Sequence, residues 1–335
     1  MSRVAVIIVN YNGGRLLHEC LTALAAQSVS PSRVVVVDNA STDGSIDECA
    51  TAFPGVEFHR LSSNVGFAKA NNIGVGLVPD CEWIALLNPD AFAEPRWIQS
   101  FHEAVQRFPD TDAFASCMLS AVRRDVIDGA GDAYRVDGLA WPRFQGEAAV
   151  RLPKESEEVF SPCAGAGFYR RATFLDVGGF NERYFCYYED VDLGFRFRLM
   201  GSRCRFLPTT VVYHVGSALT GGVASDFSTY HVHRNVVWNF LRNMPGHYFW
   251  MYLPAHVTAN LVSVALFVRK GKGRTILRAK WHAIRGLPEV WRERQAIQRR
   301  RRVPARAVVA QMQRGNAFGS VFRRVLRMAS LAGRS

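Results

Sequence analysis

The chain has 335 residues, 48% of them hydrophobic, which is enough to bury a full core and excludes a disordered chain. Its seven cysteines are an odd number without a Cys-x-x-Cys pair, so we expect reduced packing residues of a cytosolic protein. The net charge of +12 is uneven: from Arg234 onwards there are 21 Lys and Arg against 2 Asp and Glu, and before it 20 against 27. Such a basic tail predicts an acidic partner, either a membrane or a nucleic acid.

The N-terminal part alternates short apolar runs with segments of helical length. Residues 4–9 form an apolar run that ends at Asn10, which is too short for the core of a secretion signal and typical of a strand. Further strands are predicted where apolar runs lack alternation, at residues 34–37 and 83–87, and residues 56–61 are a candidate for one more strand. Helices are predicted between the strands, at residues 13–27, 44–53 and 66–78. This order predicts an α/β fold with a doubly wound, mostly parallel sheet.

Polar clusters follow three of these strands. They are Asn10-Tyr11-Asn12, residues 38–41 (DNAS) and Asn88-Pro89-Asp90. In doubly wound sheets, ligands bind beyond the carboxyl ends of the strands. Such residues also cap helices and form turns. Three clusters at one sheet edge, two of them with a carboxylate, favour a binding site.

Asp90, held at a strand end by Pro89, is a candidate ligand for a divalent cation. A divalent cation at such a position can stabilise the negative charge of a phosphate or diphosphate group without any proton transfer. Mg²⁺ or Mn²⁺ needs few protein ligands there, since phosphates and water complete the shell. His214 follows the apolar stretch 209–213, again at a strand end, and is a candidate second ligand. A lone histidine is more often a structural residue.

A second acidic cluster, Glu189, Asp190 and Asp192, opens a predicted helix whose apolar positions recur every four residues. Acidic residues in a first turn compensate the helix dipole, but one or two would suffice. The flanking Tyr187 and Tyr188 suggest a pocket. A carboxylate there could accept the proton of an attacking hydroxyl if burial raised its pKa enough to counter the dipole.

Several motifs occur together, in one order, that resemble the family 2 glycosyltransferases. They are residues 36–45 (VVDNASTDGS), 64–68 (NVGFA), 87–90 (LNPD), 178–180 (GGF) before Glu189-Asp190, and His214. The resemblance covers roughly residues 3–240. It implies a GT-A fold and inverting transfer from a nucleotide-sugar donor. It also implies that Asp38 holds the nucleoside, that Asp90 binds the metal and that Asp190 is the general base.

Further donor and acceptor contacts are expected beside these. Asn88 stands where the family often has the first carboxylate of Asp-x-Asp, so we expect it to contact ribose or phosphate. The other expected donor contacts are Asn10, Tyr11, Asn12, Asn64 and Lys69. The expected acceptor contacts are Gly165, Gly167, Tyr188 and Glu189. The two glycines equally suit a structural role in close backbone approach.

Three features of the sequence resemble one branch of this family and so indicate the donor. The DNAS wording, the amide at Asn88 and the later Arg234-Asn235 resemble the rhamnosyltransferase branch, which implies a dTDP-L-rhamnose donor. Galactofuranosyltransferases and other transferases share part of these motifs, so a UDP-sugar is the alternative donor.

Other classes of protein are less well supported. A nucleotidyltransferase or a dehydrogenase would carry a Gly-rich phosphate loop after the first strand, and residues 10–14 (NYNGG) do not match one. A catalytically silent glycan- or lipid-binding module remains the non-enzyme alternative. The presence of Asp90, Asp190 and His214 argues against it.

The chain is predicted to divide into a GT-A domain, residues 1–240, and a helical, basic, membrane-associated region, residues 241–335. The donor half of the first domain is about 1–112 and the acceptor half about 113–240. Residues 247–268 are apolar and long enough to span a bilayer, but Pro254 interrupts them and their polar residues share one face. We therefore expect an in-plane amphipathic helix, with a packed core helix as the alternative.

The basic residues after this stretch favour an anionic membrane surface. They are Arg269, Lys270, Lys272, Arg274, Arg278 and Lys280. Nucleic acid is the rival partner for residues 299–302 with Arg323, Arg324 and Arg327, but no nucleic-acid module is visible and stacking aromatics are scarce there. The resemblance implies a polyprenyl-linked glycan acceptor, hence a peripheral protein on the cytoplasmic face of the plasma membrane. The sequence leaves the oligomeric state open.

Overall fold

The structure is a computed structural model that describes residues 2–216 and 225–314. Its strands are β1 (Val4–Asn10), β2 (Arg33–Asp38), β3 (Glu57–Arg60), β4 (Trp83–Leu87), β5 (Ala91–Ala93), β6 (Ala113–Ser120), β7 (Ile127–Gly129), β8 (Asp132–Tyr134), β9 (Ala140–Pro142), β10 (Glu157–Glu158), β11 (Ala166–Arg170) and β12 (Cys204–His214). Short 3-10 helices cover Ala149–Arg151 and Glu182–Tyr184.

The α-helices of the described residues fall into two groups. Those that alternate with strands are α1 (Gly14–Ala25), α2 (Ser45–Ala52), α3 (Phe67–Gly76), α4 (Trp97–Arg107), α5 (Arg171–Asp176) and α6 (Glu189–Met200). Those that follow the last strand are α7 (Asp226–Asn243), α8 (Tyr248–Arg269), α9 (Gly273–Arg285), α10 (Leu287–Arg300) and α11 (Ala305–Ala310). The helices predicted at 13–27, 44–53, 66–78 and 247–268 are all present.

One mixed sheet forms the centre of the fold. Its strands lie in the order β10-β12-β6-β11-β4-β1-β2-β3, with β5 beside β12 and β7 beside β6, while β8 and β9 form a separate hairpin. Strands β1 to β4 pair in parallel, and β11 runs antiparallel between β4 and β6. The predicted α/β sheet is therefore confirmed, and the antiparallel strands β5, β7, β10 and β11 are additions that the apolar runs did not reveal.

Strand β1 is buried on both faces, which explains why its sequence is continuously apolar. Val4, Val6 and Ile8 belong to the core layer that contains α1 and α4. The alternate residues, Ala5, Ile7 and Val9, belong to the layer that contains α3, α5 and α6. Helices thus cover both faces of the sheet, and ligands can reach the strands only at their ends.

The strand register brings the predicted polar clusters to one edge. Asn10 pairs with Asp38, and Ile7 pairs with Leu86, so β1, β2 and β4 end together. Strand β12 ends at the same edge, where His214 pairs with Ala91. All seven cysteines are free thiols, as predicted.

The later helices continue directly from the sheet. The domain boundary expected at residue 240 falls within α7, and the division into two domains stays a prediction. Helices α9 and α10 pack against α7. Arg323, Arg324 and Arg327, which carried the alternative of nucleic-acid binding, lie outside the described residues.

Candidate active site

A cavity of about 730 Å³ opens at the edge where the strands end. Its walls come from the segments after β1, β2 and β4, from the β8–β9 hairpin, from the start of α6 and from the end of β12. The predicted site residues that line it are Tyr11, Asn64, Asn88, Asp90, Gly165, Tyr188, Glu189, Asp190 and His214. Distant parts of the sequence that we expected to share one site therefore do meet.

Asp90 and His214 face each other because β5 pairs with the end of β12. Nε2 of His214 lies 3.3 Å from Oδ1 of Asp90, but it is buried and makes no hydrogen bond among the described residues. The other ring nitrogen, Nδ1, lies 2.7 Å from Oδ2 of Asp128 and so fixes the ring. Burial opposes protonation of His214, but the carboxylates of Asp128 and Asp90 outweigh burial and raise its pKa to about 10.

The facing atoms of Asp90 and His214 fit a divalent cation. Neighbouring ligands of an octahedral Mg²⁺ ion are roughly 3 Å apart, since each bond is about 2.1 Å long. The unpartnered Nε2 is the lone pair that a metal would use once the ring is deprotonated, and Asp128 orients it from behind. Within residues 2–216 and 225–314 no cluster of three or more metal-ligating side chains is present. Donor phosphates and water would therefore complete the shell.

Asp190 lies at the start of α6 with its carboxylate in the cavity wall. Its Oδ2 accepts the backbone N–H of Ala164 at 3.1 Å, and its Oδ1 accepts that of Val191 at 2.8 Å. Burial raises the pKa of Asp190, although these hydrogen bonds favour the charged form. The raised pKa is the property that we required of a general base.

Glu189, beside Asp190, has a different environment. Its side chain is buried, and its Oε2 finds no hydrogen-bond partner in the described part of the chain. Burial and the nearby charge of Asp190 raise the pKa of Glu189 well above its usual range. Burial of Glu189 therefore favours its neutral form more strongly than burial of Asp190 does, because the Asp190 carboxylate accepts two backbone N–H groups.

The third acid of the cluster, Asp192, takes no part in the cavity. It is fully buried and accepts hydrogen bonds from Arg196 at 2.9 Å, Arg242 at 2.5 Å and Asn243 at 2.8 Å. Burial tends to raise the pKa of Asp192, but Arg196 and Arg242 outweigh burial and hold it below its usual value. Asp192 therefore joins α6 to α7 and is structural.

Asn10 and Asp38 lie outside the lining of the cavity. Nδ2 of Asn10 is buried 3.5 Å from Asp38, 3.0 Å from Ser41 and 3.3 Å from Ser45. The backbone N–H of Ser41 also donates to Asp38. Together these contacts tie the segment after β1 to the segment after β2. The donor-binding roles of Asn10 and Asp38 stay predictions.

Three more predicted contacts lie away from the lining. Asn12 is exposed, and its Oδ1 accepts the backbone N–H of Thr42 at 2.8 Å. Lys69 points outward from α3, with Nζ 3.9 Å from Glu182. Gly167 lies within β11, where an added Cβ would come within 2.8 Å of the Cys163 carbonyl oxygen. That contact supports the structural alternative for Gly167.

Several lining residues were not among the predicted contacts. Asn39 donates to Oδ1 of Asn64 at 2.9 Å and accepts the backbone N–H of Val65. Asn39 belongs to the DNAS motif, so this motif is the feature of the sequence that could have identified Asn39 as a site residue. Asp128, Asp132 and Trp141 come from short strands without periodicity, and the sequence gives no comparable sign of them.

The aromatic segment before α6 has unusual backbone geometry. Phe185, Tyr187 and Tyr188 have φ of 65°, 68° and 71°, a region that non-glycine residues rarely adopt. All three line the cavity. The buried Nδ2 of Asn235 on α7 lies within hydrogen-bonding distance of three backbone carbonyls here, those of Tyr184 (3.1 Å), Cys186 (3.0 Å) and Tyr187 (2.7 Å). Helix α7 thus holds the strained wall of the cavity in place.

Comparison with known proteins shows the family of this chain. Residues 5–174 match the model of the glycosyl transferase family 2. The chain belongs to this family. It is 30% identical over 247 residues to the N-acetylglucosaminyl-diphospho-decaprenol L-rhamnosyltransferase of Mycobacterium tuberculosis, covering 68% of this chain and 80% of that protein. It is 27% identical to rhamnosyltransferase WbbL of Escherichia coli, covering 63% of this chain and 83% of WbbL.

Solved structures confirm the GT-A fold of this family 2 chain. S. aureus TarS 1–349 in complex with UDP-GlcNAc superposes with a TM-score of 0.60 at 19% identity, covering 92% of this chain and 88% of TarS 1–349. GalNAc-T7 with UDP, GalNAc and Mn²⁺ gives a TM-score of 0.59 at 16% identity, covering 72% of this chain and 48% of GalNAc-T7. The protein is thus a glycosyltransferase with a GT-A fold that resembles rhamnosyltransferases of its family.

Proposed function

We propose that this glycosyltransferase moves L-rhamnose from dTDP-L-rhamnose to a lipid-linked glycan, with inversion and with the help of a divalent cation. The observation that carries the proposal is one cavity that holds both Asp190 and the facing Asp90 and His214. The names of the relatives in M. tuberculosis and E. coli support rhamnose, and the decaprenol in the first name supports a lipid-linked acceptor. The product would serve cell-surface polysaccharide synthesis.

The charge of the cavity supports dependence on a metal. Its lining includes the carboxyl groups of Asp90, Asp128, Asp132 and Asp190, and no Lys or Arg among the described residues. A donor diphosphate would be repelled there unless a cation lay between. Asp90 and His214 would hold Mg²⁺ or Mn²⁺, which would stabilise the negative charge of the leaving diphosphate.

The proton of the acceptor hydroxyl would be removed by a side chain of the protein. Asp190 would take the proton from an acceptor hydroxyl as its oxygen attacks the anomeric carbon of the donor. The bond from that carbon to the diphosphate oxygen breaks on the opposite face, which inverts the configuration. Positioning of the two substrates and charge stabilisation would supply most of the acceleration.

Transfer by a UDP-sugar enzyme of the same family is the alternative donor hypothesis. TarS, whose fold is shared, was solved with UDP-GlcNAc, so the fold accepts such donors. A catalytically silent glycan- or lipid-binding module would need neither the raised pKa of Asp190 nor the buried ligand atom of His214.

The test is a panel of nucleotide sugars, including dTDP-L-rhamnose, UDP-GlcNAc and UDP-galactofuranose, incubated with Mn²⁺ and a bacterial lipid extract. We expect release of nucleoside diphosphate from dTDP-L-rhamnose, dependent on the extract and abolished by EDTA. Selective turnover of a UDP-sugar would refute the rhamnose donor, and activity that survives exhaustive chelation would refute the metal. No release from any donor, by a protein that is folded, would favour the silent module.

A further inference from the structure

One face of α8 carries large apolar side chains that the described chain leaves exposed. Trp250, Val257, Leu261 and Val268 have exposed fractions of 66%, 47%, 65% and 47%. Together with the exposed Pro254 they are spaced three, four or seven residues apart, which places them on one side of the helix. Helix α8 is also long and apolar enough to cross a membrane by length and composition.

Helix α9 carries a second exposed apolar stripe. Leu277, Trp281 and Ile284 are 56%, 57% and 57% exposed, and they recur at spacings of four and three. Exposed arginines run beside them, at Arg274, Arg278 and Arg285. The sequence from residue 243 to residue 288 contains no acidic residue. The stripe is therefore flanked by uncompensated positive charge.

Both stripes point away from α7, because both helices pack against it. The ring of Phe240 on α7 stacks on His256 of α8 with centroids 4.1 Å apart. From α9, Lys280 donates to the carbonyl of His233 at 2.7 Å, and the carbonyl of Ala283 accepts from Trp238 at 3.0 Å. Helices α8 and α9 also contact each other. The stripes of α8 and α9 thus form one surface, which we call the apolar face.

Helix α8 cannot cross a bilayer while it keeps these contacts. It touches α7 near its start, through Phe249, and near its end, where Phe267 lies 4.4 Å from the His233 ring. Between them, His256 is buried and hydrogen-bonded to the Asp137 carbonyl at 2.7 Å. Near its start, its middle and its end, one side of α8 therefore contacts the rest of the described chain.

We propose that the apolar face inserts in the plane of an anionic bilayer, with Trp250, Leu261, Leu277, Trp281 and Ile284 below the headgroups and the flanking arginines among them. Aromatic and aliphatic residues beside cations are the composition that interfacial helices use. Only the benefit of membrane binding, which is access to a lipid-linked acceptor, rests on the proposed function.

The position of the cavity suits this orientation. Lys272, in the turn between α8 and α9, lies 3.1 Å from Asp226 at the start of α7. The next residue, Phe227, lines the cavity. A headgroup in the membrane that receives the apolar face would thus lie near one wall of the cavity.

Two other occupants of the apolar face fit less well. A second copy of the chain would bring two uncompensated basic surfaces together, and the like charges would repel. A nucleic acid would satisfy the arginines but offers no apolar partner for side chains such as Leu261. An anionic bilayer satisfies both properties.

The experiment is sedimentation of the full-length chain with vesicles of phosphatidylcholine, with or without phosphatidylglycerol, in the absence of donor and acceptor. We expect binding to the anionic vesicles. The double variant Trp250→Ser/Leu261→Ser should bind about a hundredfold more weakly, because each exposed side chain that inserts contributes roughly a factor of ten. The matched control is Val150→Ser, since Val150 is 87% exposed outside these helices and should leave binding unchanged.

Each other outcome overturns the proposal. Equal binding of the double variant and the parent would show purely electrostatic attachment. Self-association of the parent that the double variant abolishes, without vesicle binding, would assign the apolar face to a second copy. Binding to duplex DNA instead of vesicles would assign it to nucleic acid, and resistance of the cellular protein to alkaline carbonate would show a spanning helix. Because no sugar transfer is measured, failure here leaves the proposed function intact.

Discussion

Nδ1 of His214 lies 2.7 Å from Oδ2 of Asp128, while Nε2 of the same ring faces Oδ1 of Asp90 at 3.3 Å. Asp128 thus fixes the ring of His214 and would orient it as the metal ligand that we propose. Orienting carboxylates of this kind typically contribute about 10–100-fold to metal affinity. We expect Asp128→Asn to raise the Mn²⁺ concentration for half-maximal activity by that factor, with a smaller change at saturating Mn²⁺.

The matched control for this metal prediction is Asp125→Asn. Asp125 is exposed three residues earlier and does not line the cavity. Binding of Mn²⁺ followed by electron paramagnetic resonance gives a readout that is independent of turnover. Equal Mn²⁺ affinities of the two variants and the parent would show that Asp128 does not act through His214.

Replacing each of the two neighbouring acids of α6 by its amide should change the rate of transfer to different extents. Asp190→Asn should lower the rate of transfer by about 10²–10⁴-fold, because no carboxylate remains to accept the proton. Glu189→Gln should retain more activity than Asp190→Asn, since burial favours the neutral form of Glu189 and the amide preserves its shape. Retained donor binding, followed by protection from thermal unfolding, would show that both variants are folded. Near-normal transfer by Asp190→Asn would refute the base assignment.

The pH dependence of the rate follows from the raised pKa of Asp190. The base works only when deprotonated, so activity should fall as pH decreases through a pKa above the usual value for Asp, about 3.9. The measurement is kcat/KM against pH with Mn²⁺ held saturating. Activity that persists unchanged to the ordinary pKa of an aspartate would contradict a buried base.

Asn235 and Asn239 lie one helical turn apart on α7 and provide a matched comparison. Both are fully buried, but Asn239 finds no side-chain hydrogen-bond partner among the described residues, whereas Asn235 serves three carbonyls of the strained segment. Asn235→Ala should lower the free energy of unfolding by about 1–3 kcal/mol more than Asn239→Ala, because it removes a donor that lies within reach of three carbonyls of the strained segment.

Urea unfolding of both asparagine variants measures the difference in stability. Kinetics measure its consequence, because loosening the wall formed by Tyr187 and Tyr188 should lower kcat more than it raises KM for the donor. Equal loss of stability in the two variants, or equal kinetics, would show that Asn235 contributes only packing.

The buried ion cluster around Asp192 should control stability in acid. Asp192→Asn would leave Arg196 and Arg242 without their shared carboxylate, so we expect a loss of about 3–5 kcal/mol. The folded pKa of Asp192 is lowered, so its contribution to stability is present above the unfolded pKa and is lost as pH falls through the folded pKa. The control is Asp47→Asn, whose exposed pair with Arg60 at 2.7 Å should contribute less than about 1 kcal/mol.

Thermal unfolding of both aspartate variants as a function of pH provides the measurement. The parent should lose stability steeply in acid, whereas Asp192→Asn should start lower and depend less on pH there. A parallel pH dependence of the parent and Asp192→Asn would show that other carboxylates dominate the acid transition.

The sequence by itself determined the elements of the fold. Strands β1 and β4 are continuously apolar because both of their faces are buried. A run of consecutive apolar residues is enough to recognise such a strand. Parallel pairing then brings their carboxyl ends to one edge, so Asn88, Asp90 and His214 could be expected together before any coordinates were known. The motif order added the family and the prediction that Asp190 is the general base.

Only the tertiary structure decided what each polar side chain contacts. Three acids at the start of α6 look equivalent in sequence, but the helix turns Asp192 into the arginines of the interior and leaves Asp190 in the cavity. Asn10 and Asp38, expected at the donor, bond each other because two strand ends converge there. Asp128 reaches His214 across 86 residues of sequence. Such contacts depend on side-chain direction and on packing between distant segments, whereas local periodicity reports only which face of an element is buried.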